Sequence, residues 1–452
     1  MAQDEQDAPS HSAAQDEAAI KPLRLGLVPA PELPERVANQ IAGELPDLLK
    51  RHTDDRHDWQ VECVTDALVG ADDGAADVIE QAAQLKRDRD WHYVVCITDL
   101  PLFLNDRLTV AEAIGNRGVS LISQPALGAS PLKRRLREAI LQLINEMHHG
   151  SDDEDRERQQ QHLNSNAEAR NQSGIRNSSS RHLMSWGPAE WLAPIQRETS
   201  NDSGEDGCEV RFVSAARWRG HARLLCGMIR ANRPWSILPA FRRIIAVAFA
   251  TGAYALISPG LWQLSAAYGF SRSAILMVAA IAAMVVWLIV DHGLWEPQQH
   301  TASSRLTRLY NLTTVLTLAA GVSCYYAILF LLFLVAAILL VPSSLFESTV
   351  SQSISWLSFP ALAWFATSIA TVGGSLGSSL ESDETIRSAT YGYRQQLRQR
   401  KVKDRQAEDQ EQEAREKDEQ KKGEQKKEED TRNQAERQAR ASRKHQQDDQ
   451  SP

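Results

Sequence analysis

Charge is missing from the middle of this chain. Between Ile244 and Leu376, four stretches contain no Asp, Glu, Lys or Arg, although the 452-residue sequence carries 58 acidic and 50 basic residues, a net charge of -8. Crossing the hydrocarbon core of a bilayer takes about 20 apolar residues, so these stretches exclude a wholly water-exposed chain. Other absences narrow the field further. The first twenty residues have neither the basic start nor the apolar core of a signal peptide, so the N-terminus is expected to stay in the cytoplasm. Five scattered cysteines form no CxxC pair, which argues against a zinc ribbon or a disulfide scaffold. No GxGxxG, GxxxxGK[ST] or GxSxG occurs, so the dinucleotide fingerprint, the P-loop and the nucleophile elbow are all absent. No fixed-period repeat is present.

The apolar block reads as four spans at about 244–264, 274–290, 312–341 and 356–376 within residues 241–380. Pro259-Gly260 is expected to bend the first, and Pro360 lies near the start of the fourth, where a missing N–H costs little. The third run is too long for one upright span. The flanking arginines decide in favour of one long helix, tilted or extended into the cytoplasm. With four spans nearly every Lys and Arg falls on one side, whereas a fifth would put the basic tail outside. Both termini are then cytoplasmic, at a bacterial plasma membrane. Trp235 and Trp295 are expected to mark the inner interface, Trp262 and Trp356 the outer one. Gly373 and Gly377 have the GxxxG spacing, read as a packing face within the bundle.

Before the first span, residues 208–240 hold a short strand at 209–213 and a basic amphipathic helix over 215–232. Trp218, Ala222, Leu225 and Ile229 form one stripe; Arg219, Arg223 and Arg230 lie elsewhere on the helix. The surface reading places Arg217, Arg219, Arg223, Arg230, Arg233, Arg242 and Arg243 on an anionic inner leaflet, which makes the bilayer a partner. The other reading packs this helix on the soluble domain.

Residues 22–150 read as a cytosolic α/β domain. Strands are expected at 23–28, 59–65, 91–98, 108–114 and 119–123, and helices at 32–49, 75–85 and 132–148. On the last helix Asn145-Glu146-Met147-His148-His149 is HExxH with its leading His replaced. Following the strand Val94–Leu100 and the segment Val119–Ser123, it resembles the archaemetzincin-like zincins. The resemblance implies a zinc ligand at His149 and a general base at Glu146. Asn145 stands where the first ligand belongs, and Ser151-Asp152-Asp153-Glu154 replaces the downstream glycine and third ligand. The alternative is a helix C-terminus whose histidines suit the macrodipole.

The flanks complete the plan: an acidic leader at 1–21, a flexible polar linker at 151–207 and a charged tail at 381–452. The fold class is thus an α/β soluble domain plus an all-α four-helix transmembrane bundle, with disordered linker and tail. Around the junction Arg230-Ala231-Asn232-Arg233-Pro234-Trp235 the whole resembles uncharacterised multi-pass membrane proteins of actinobacteria. That resemblance supplies architecture and no activity. The expected role is a cytoplasm-facing scaffold or sensor whose domain binds a protein or small ligand, without a cofactor and without nucleic acid. The alternatives are a transporter or channel subunit for a neutral substrate and a diverged zincin-type hydrolase.

Overall fold

The computed structural model describes residues 22–67, 69, 75–104, 107–150, 194–199, 210–239, 241–295, 304–350 and 355–376, with residues 411, 415 and 422 of the tail. The leader, most of the expected linker and nearly all of the tail lie outside these. The chain divides into a unit of residues 1–394 and a unit of residues 395–452. The first holds an N-terminal mixed α/β sheet domain and a helical C-terminal part.

The sheet has eight strands: β1 (Leu23–Pro29), β2 (Trp59–Cys63), β3 (Tyr93–Thr98), β4 (Leu102–Leu104), β5 (Arg107–Ile114), β6 (Val119–Ser123), β7 (Ile195–Thr199) and β8 (Val210–Ser214). Their order is β2-β1-β3-β6-β5-β8-β7, with β4 paired to β5. The first four in that order are parallel; β5, β8 and β7 add antiparallel pairs. Helices α1 (Leu33–Ala42), α2 (Leu45–His52) and α4 (Leu132–His149) share one core with Leu25, Leu27, Val95 and Ile97. Helix α3 (Ala75–Asp88) covers the opposite face with Val28, Val94 and Cys96. Alternate residues of each strand thus feed different cores, as the period of two requires. The single helix expected at 32–49 is divided at Gly43-Glu44, and Pro46 opens its second half.

Two strands come from beyond the expected end of the domain. Strand β7 lies inside the stretch read as a tether, and β8 pairs between it and β5. Only Ile195 and Thr199 flank the polar run Gln196-Arg197-Glu198, so apolar alternation does not announce β7. Ion pairs hold it instead. Arg197 closes on Glu146 of α4, at 2.8 and 3.1 Å, and Glu198 pairs with Arg107 of β5.

Helix α5 (Arg217–Asn232) packs on this sheet and leads to α6 (Arg242–Leu256), α7 (Pro259–Ala267), α8 (Phe270–Asp291), α9 (Ser304–Leu340), α10 (Ser343–Val350) and α11 (Ser358–Leu376). Residues 270–291 and 306–340 are long and apolar enough to cross a membrane. Helices α6 and α7 would make a third span, broken by a 91° bend at the expected Pro259. Helix α11 is buried along most of its length by its neighbours, through Leu362, Ala363, Ala366 and Ala370. Gly374 permits this closeness, since a Cβ there would meet the Tyr325 hydroxyl at 2.8 Å and Ala248 at 3.3 Å.

Helix α9 belongs to both halves. Leu309 and Tyr310 sit in the core of the sheet domain with Leu224 and Met228 of α5. Further along, Leu318, Val322, Tyr325, Leu329 and Phe333 sit in the core of the helical part. On the side of the sheet domain, burying large side chains such as Leu224, Met228 and Leu309 contributes about 1.5–3 kcal/mol each, so several together outweigh any single polar contact at the junction. The buried hydrogen bond from Asn232 Nδ2 to Thr317 Oγ1, at 3.0 Å, sets the register of α5 on α9.

Candidate ligand site at the carboxyl edge of the sheet

Strands β2 and β3 leave β1 in opposite directions, and their connecting helices lie on opposite faces. Ligands of such sheets bind at the carboxyl ends of the strands around this reversal. Here that edge is formed by Ala30–Glu32 after β1, Asp99–Pro101 after β3 and the turn Gln124–Gly128 after β6. The first of these is unsuited to an anion. Glu32 takes φ +75° and forms a capping box with Glu35, so two carboxylates already face the positive end of α1.

The turn after β6 has the opposite character. The backbone N–H of Gln124 donates to Thr98 O at 2.8 Å, and those of Leu127 and Gly128 close the turn on Gln124 and Pro125. Two arginines from different helices converge on it. Arg135 of α4 donates from Nη1 to Leu127 O at 2.6 Å, and Arg223 of α5 from Nε to the same oxygen at 3.4 Å. They are 5% and 8% exposed. The two nitrogens lie within about 6 Å, where like charges repel by about 3 kcal/mol at an effective dielectric of 20. Gln124 is 2% exposed, and neither atom of its carboxamide has a hydrogen-bond partner. Buried Asp99 follows Thr98 on the adjoining strand.

Glycine makes the assembly fit. A Cβ at Gly227 of α5 would lie 2.0 Å from Pro125 O, so the backbone of α5 rests directly on the turn. Gly128 has φ +88°, and a side chain there would meet Arg135 Nη1 at 2.8 Å. Only glycine adopts that conformation without strain.

The degenerate HExxH sits elsewhere, on the last turn of α4 at the amino ends of β2 and β3. Its members are engaged in packing. Glu146 is in the ion pair with Arg197 and accepts from Gln142 Nε2 at 3.1 Å. His149 Nε2 lies 2.9 Å from Thr53 O. His148 bridges the Tyr93 hydroxyl at 3.0 Å and Asp54 Oδ2 at 3.2 Å. Asn145 is buried with its carboxamide unpartnered. Among the described residues no three His, Cys, Asp or Glu side chains come together to hold a metal, so these donors do not fit zinc. Burial works against the Asp54 carboxylate, but hydrogen bonds from Arg56, His57 and His148 outweigh it and hold its pKa far below the usual carboxylate range. Burial, then the neighbouring His149, push His148 below the ordinary imidazole value, partly offset by Asp54.

Of the seven arginines read as a lipid surface, Arg217, Arg219, Arg230, Arg242 and Arg243 are exposed, and Arg233 is half-buried. Arg223 is the correction, turned inward onto the turn after β6. The expected apolar stripe of α5 is only partly packed, with Leu225 against the core of the sheet domain. Trp218 is 74% exposed, while Gly220, Leu224, Gly227 and Met228 are buried. Small residues allow closer approach than the larger stripe, and period alone cannot register that. Among the expected anchors, Trp235, Trp295 and Trp356 are exposed, with Arg230 over the Trp235 ring at 5.5 Å. Trp262 is buried, donating to Leu256 O at 2.6 Å and packing on Phe346. It satisfies a carbonyl freed by the break after α6 instead of facing the interface. Gln124 and Arg135 were not singled out by motif. The available signal was three cations, Lys133, Arg134 and Arg135, opening α4 with no acid in its first turn, against the helix dipole.

No protein-family model, curated protein or solved structure matches this chain.

Proposed function

We propose that this protein is a multi-pass membrane sensor, in which ligand occupancy at the carboxyl edge of a cytoplasmic α/β domain is passed to a four-span bundle through α5 and α9. The observation that carries this reading is the division of α9 between two cores, with Tyr310 in one and Tyr325 in the other. An element packed on both sides cannot shift in one without disturbing contacts in the other.

The four crossings are α6, α8, α9 and α11. Helix α6 is about 22 Å long at 1.5 Å per residue, and α7 turns across its far end. Helix α10 occupies the equivalent place between α9 and α11. The two connectors pack together there, with Trp262 and Phe346 ring centroids 5.8 Å apart. Lysines and arginines then gather at the opposite, cytoplasmic end, where Arg217, Arg230, Arg242 and Arg243 lie against anionic lipid.

The Gly227→Ala variant tests the coupling. It disturbs the turn from the side of α5 without touching the membrane helices. Unfolding of the intact protein would be followed by pulsed hydrogen exchange, read separately in peptides of the sheet domain and of the bundle. Coincident transitions that shift together support the reading; a shift confined to the sheet domain removes it.

A second reading, a pathway for a neutral solute, has one observation behind it: the 91° break between α6 and α7 is a discontinuous helix within a charge-free bundle. It requires flux in proteoliposomes that is lost when the break is altered.

A further inference from the structure

We infer that the turn Gln124–Gly128 binds the oxyanion, phosphate or carboxylate, of a small soluble molecule, held by Arg135, Arg223 and Gln124. This rests on the sensor reading above and supplies its ligand class.

Three observations point the same way. Two guanidiniums from separate helices reach one backbone oxygen, Leu127 O, at 2.6 and 3.4 Å. A planar guanidinium matches the geometry of carboxylate and phosphate, and bonds to an ionised acceptor are roughly twice as strong as those to a neutral one. An entering oxyanion therefore competes well with the Leu127 carbonyl. The second observation is independent of the arginines. The Gln124 carboxamide is 2% exposed and has no partner for either Nε2 or Oε1. Buried amides are nearly always paired, and one left open on the turn that both arginines reach fits a group supplied from outside the chain. Its Nε2–H would donate to the oxyanion, leaving Oε1 for a hydroxyl or amine on the same molecule. The third is the opening of α4. No side chain caps it and no acid lies in its first turn; Lys133 and Arg134 are paired with Glu44 and Glu138, which leaves Arg135 as the cation turned onto the turn after β6.

The surroundings define what is excluded. A cationic ligand is repelled by both guanidiniums, and the turn after β1 cannot serve a phosphate because Glu32 and Glu35 occupy it. Gly128, against which both arginine side chains lie, is buried, and the chain reaches the surface within two residues, at exposed Ser130. Transfer of Arg223 from Leu127 O to a ligand would loosen α5 from the turn, and α5 carries Met228 and Asn232 against α9.

The test uses the full-length protein in nanodiscs of phosphatidylcholine or phosphatidylglycerol. Inorganic phosphate and, separately, acetate are titrated at ionic strength matched with chloride. The expected result is a saturable rise in Tm in at least one titration, on the order of 5 °C at a hundredfold excess over half-saturation and equal in both lipids. Gln124→Leu should weaken half-saturation tenfold or more while leaving the anion-free Tm unchanged or higher. Arg223→Lys should weaken it similarly. Absence of a saturable rise with either anion, or wild-type binding by Gln124→Leu, overturns the site. A rise produced by phosphatidylglycerol alone, with neither soluble anion, also overturns it and assigns the pair of arginines to a lipid headgroup. Hydrogen exchange along 217–232 and 306–317 separates the two claims. Binding without any change there confirms the site and removes the coupling, whereas a change confirms both.

Discussion

Arg197 lays two of its guanidinium nitrogens on the carboxylate of Glu146, at 2.8 and 3.1 Å, across fifty-one residues of sequence. Both side chains are almost fully buried. The pair locks the far edge strand of the sheet to the helix that crosses its face. Surface pairs such as Lys133–Glu44 are screened by water and contribute little, but a buried fork behaves differently. Removing one partner takes away the paired bonds that balance the other's buried charge.

Glu146→Gln or Arg197→Met is therefore expected to destabilise the sheet domain by about 3–5 kcal/mol. The double variant Glu146→Leu/Arg197→Met should recover most of that loss, because no buried charge remains. Chemical unfolding of the three variants checks this. A fully stable Glu146→Gln protein would contradict the packing role and return that carboxylate to consideration as a catalytic group.

Asp54 gives a pH dependence of definite sign. Its folded pKa lies below the unfolded value despite burial, so its contribution is complete above the unfolded carboxylate pKa of about 3.9 and is lost as the pH falls beneath it. His148 is also depressed, chiefly by burial. The unfolded chain therefore takes up its proton first, and stability begins to fall as the pH drops through the unfolded imidazole value of about 6.5. Two successive losses on acidification are expected in urea midpoints measured from pH 8 downward. Asp54→Asn should lower stability at neutral pH by about 2–3 kcal/mol and flatten the lower limb. A midpoint that rises as the pH is lowered would contradict this assignment.

Gly227→Ala is expected to cost about 1–3 kcal/mol, since its Cβ would have to displace the Pro125 carbonyl or the whole of α5. Gly373→Ala, on α11 with nothing within 4 Å of its Cβ position, is the control. It should leave the melting temperature within about 1 °C of wild type, the range of a neutral substitution at an open site. Equal losses from the two substitutions would remove the contact between α5 and the turn from the account.

Much of this organisation was legible in the residues. Alternation and helical period announced most of the strands and helices from Leu23 to His149, but not β4 or the division of the first helix at Gly43-Glu44. Charge-free runs announced the apolar helices, and Pro259 the break in the first of them. The excess length of the third run was the visible sign of a helix that is shared between two cores. What stayed hidden depends on pairing over long distances. Strand β7 is polar and held by Arg197 and Glu198, so no local pattern marks it. Arg223 reads as one more juxtamembrane cation until the fold turns it inward. Gln124 looks like an ordinary turn residue; its meaning lies in what the folded chain leaves unbonded around it.

The division of α9 between two cores, and the proposed passage of its second part through lipid, are open to a single scan. Cysteines placed one at a time from Leu306 to Leu340, in otherwise cysteine-free protein in nanodiscs, would be labelled and tested for quenching by lipid-borne and by water-soluble reagents. Positions Leu309, Tyr310, Thr313 and Thr317 should be shielded from both, whereas Ser323, Leu331, Val335 and Leu339 should respond to the lipid-borne quencher. Lipid contact along the whole helix, starting at Leu309 and Tyr310, would show that α9 never enters the core of the sheet domain.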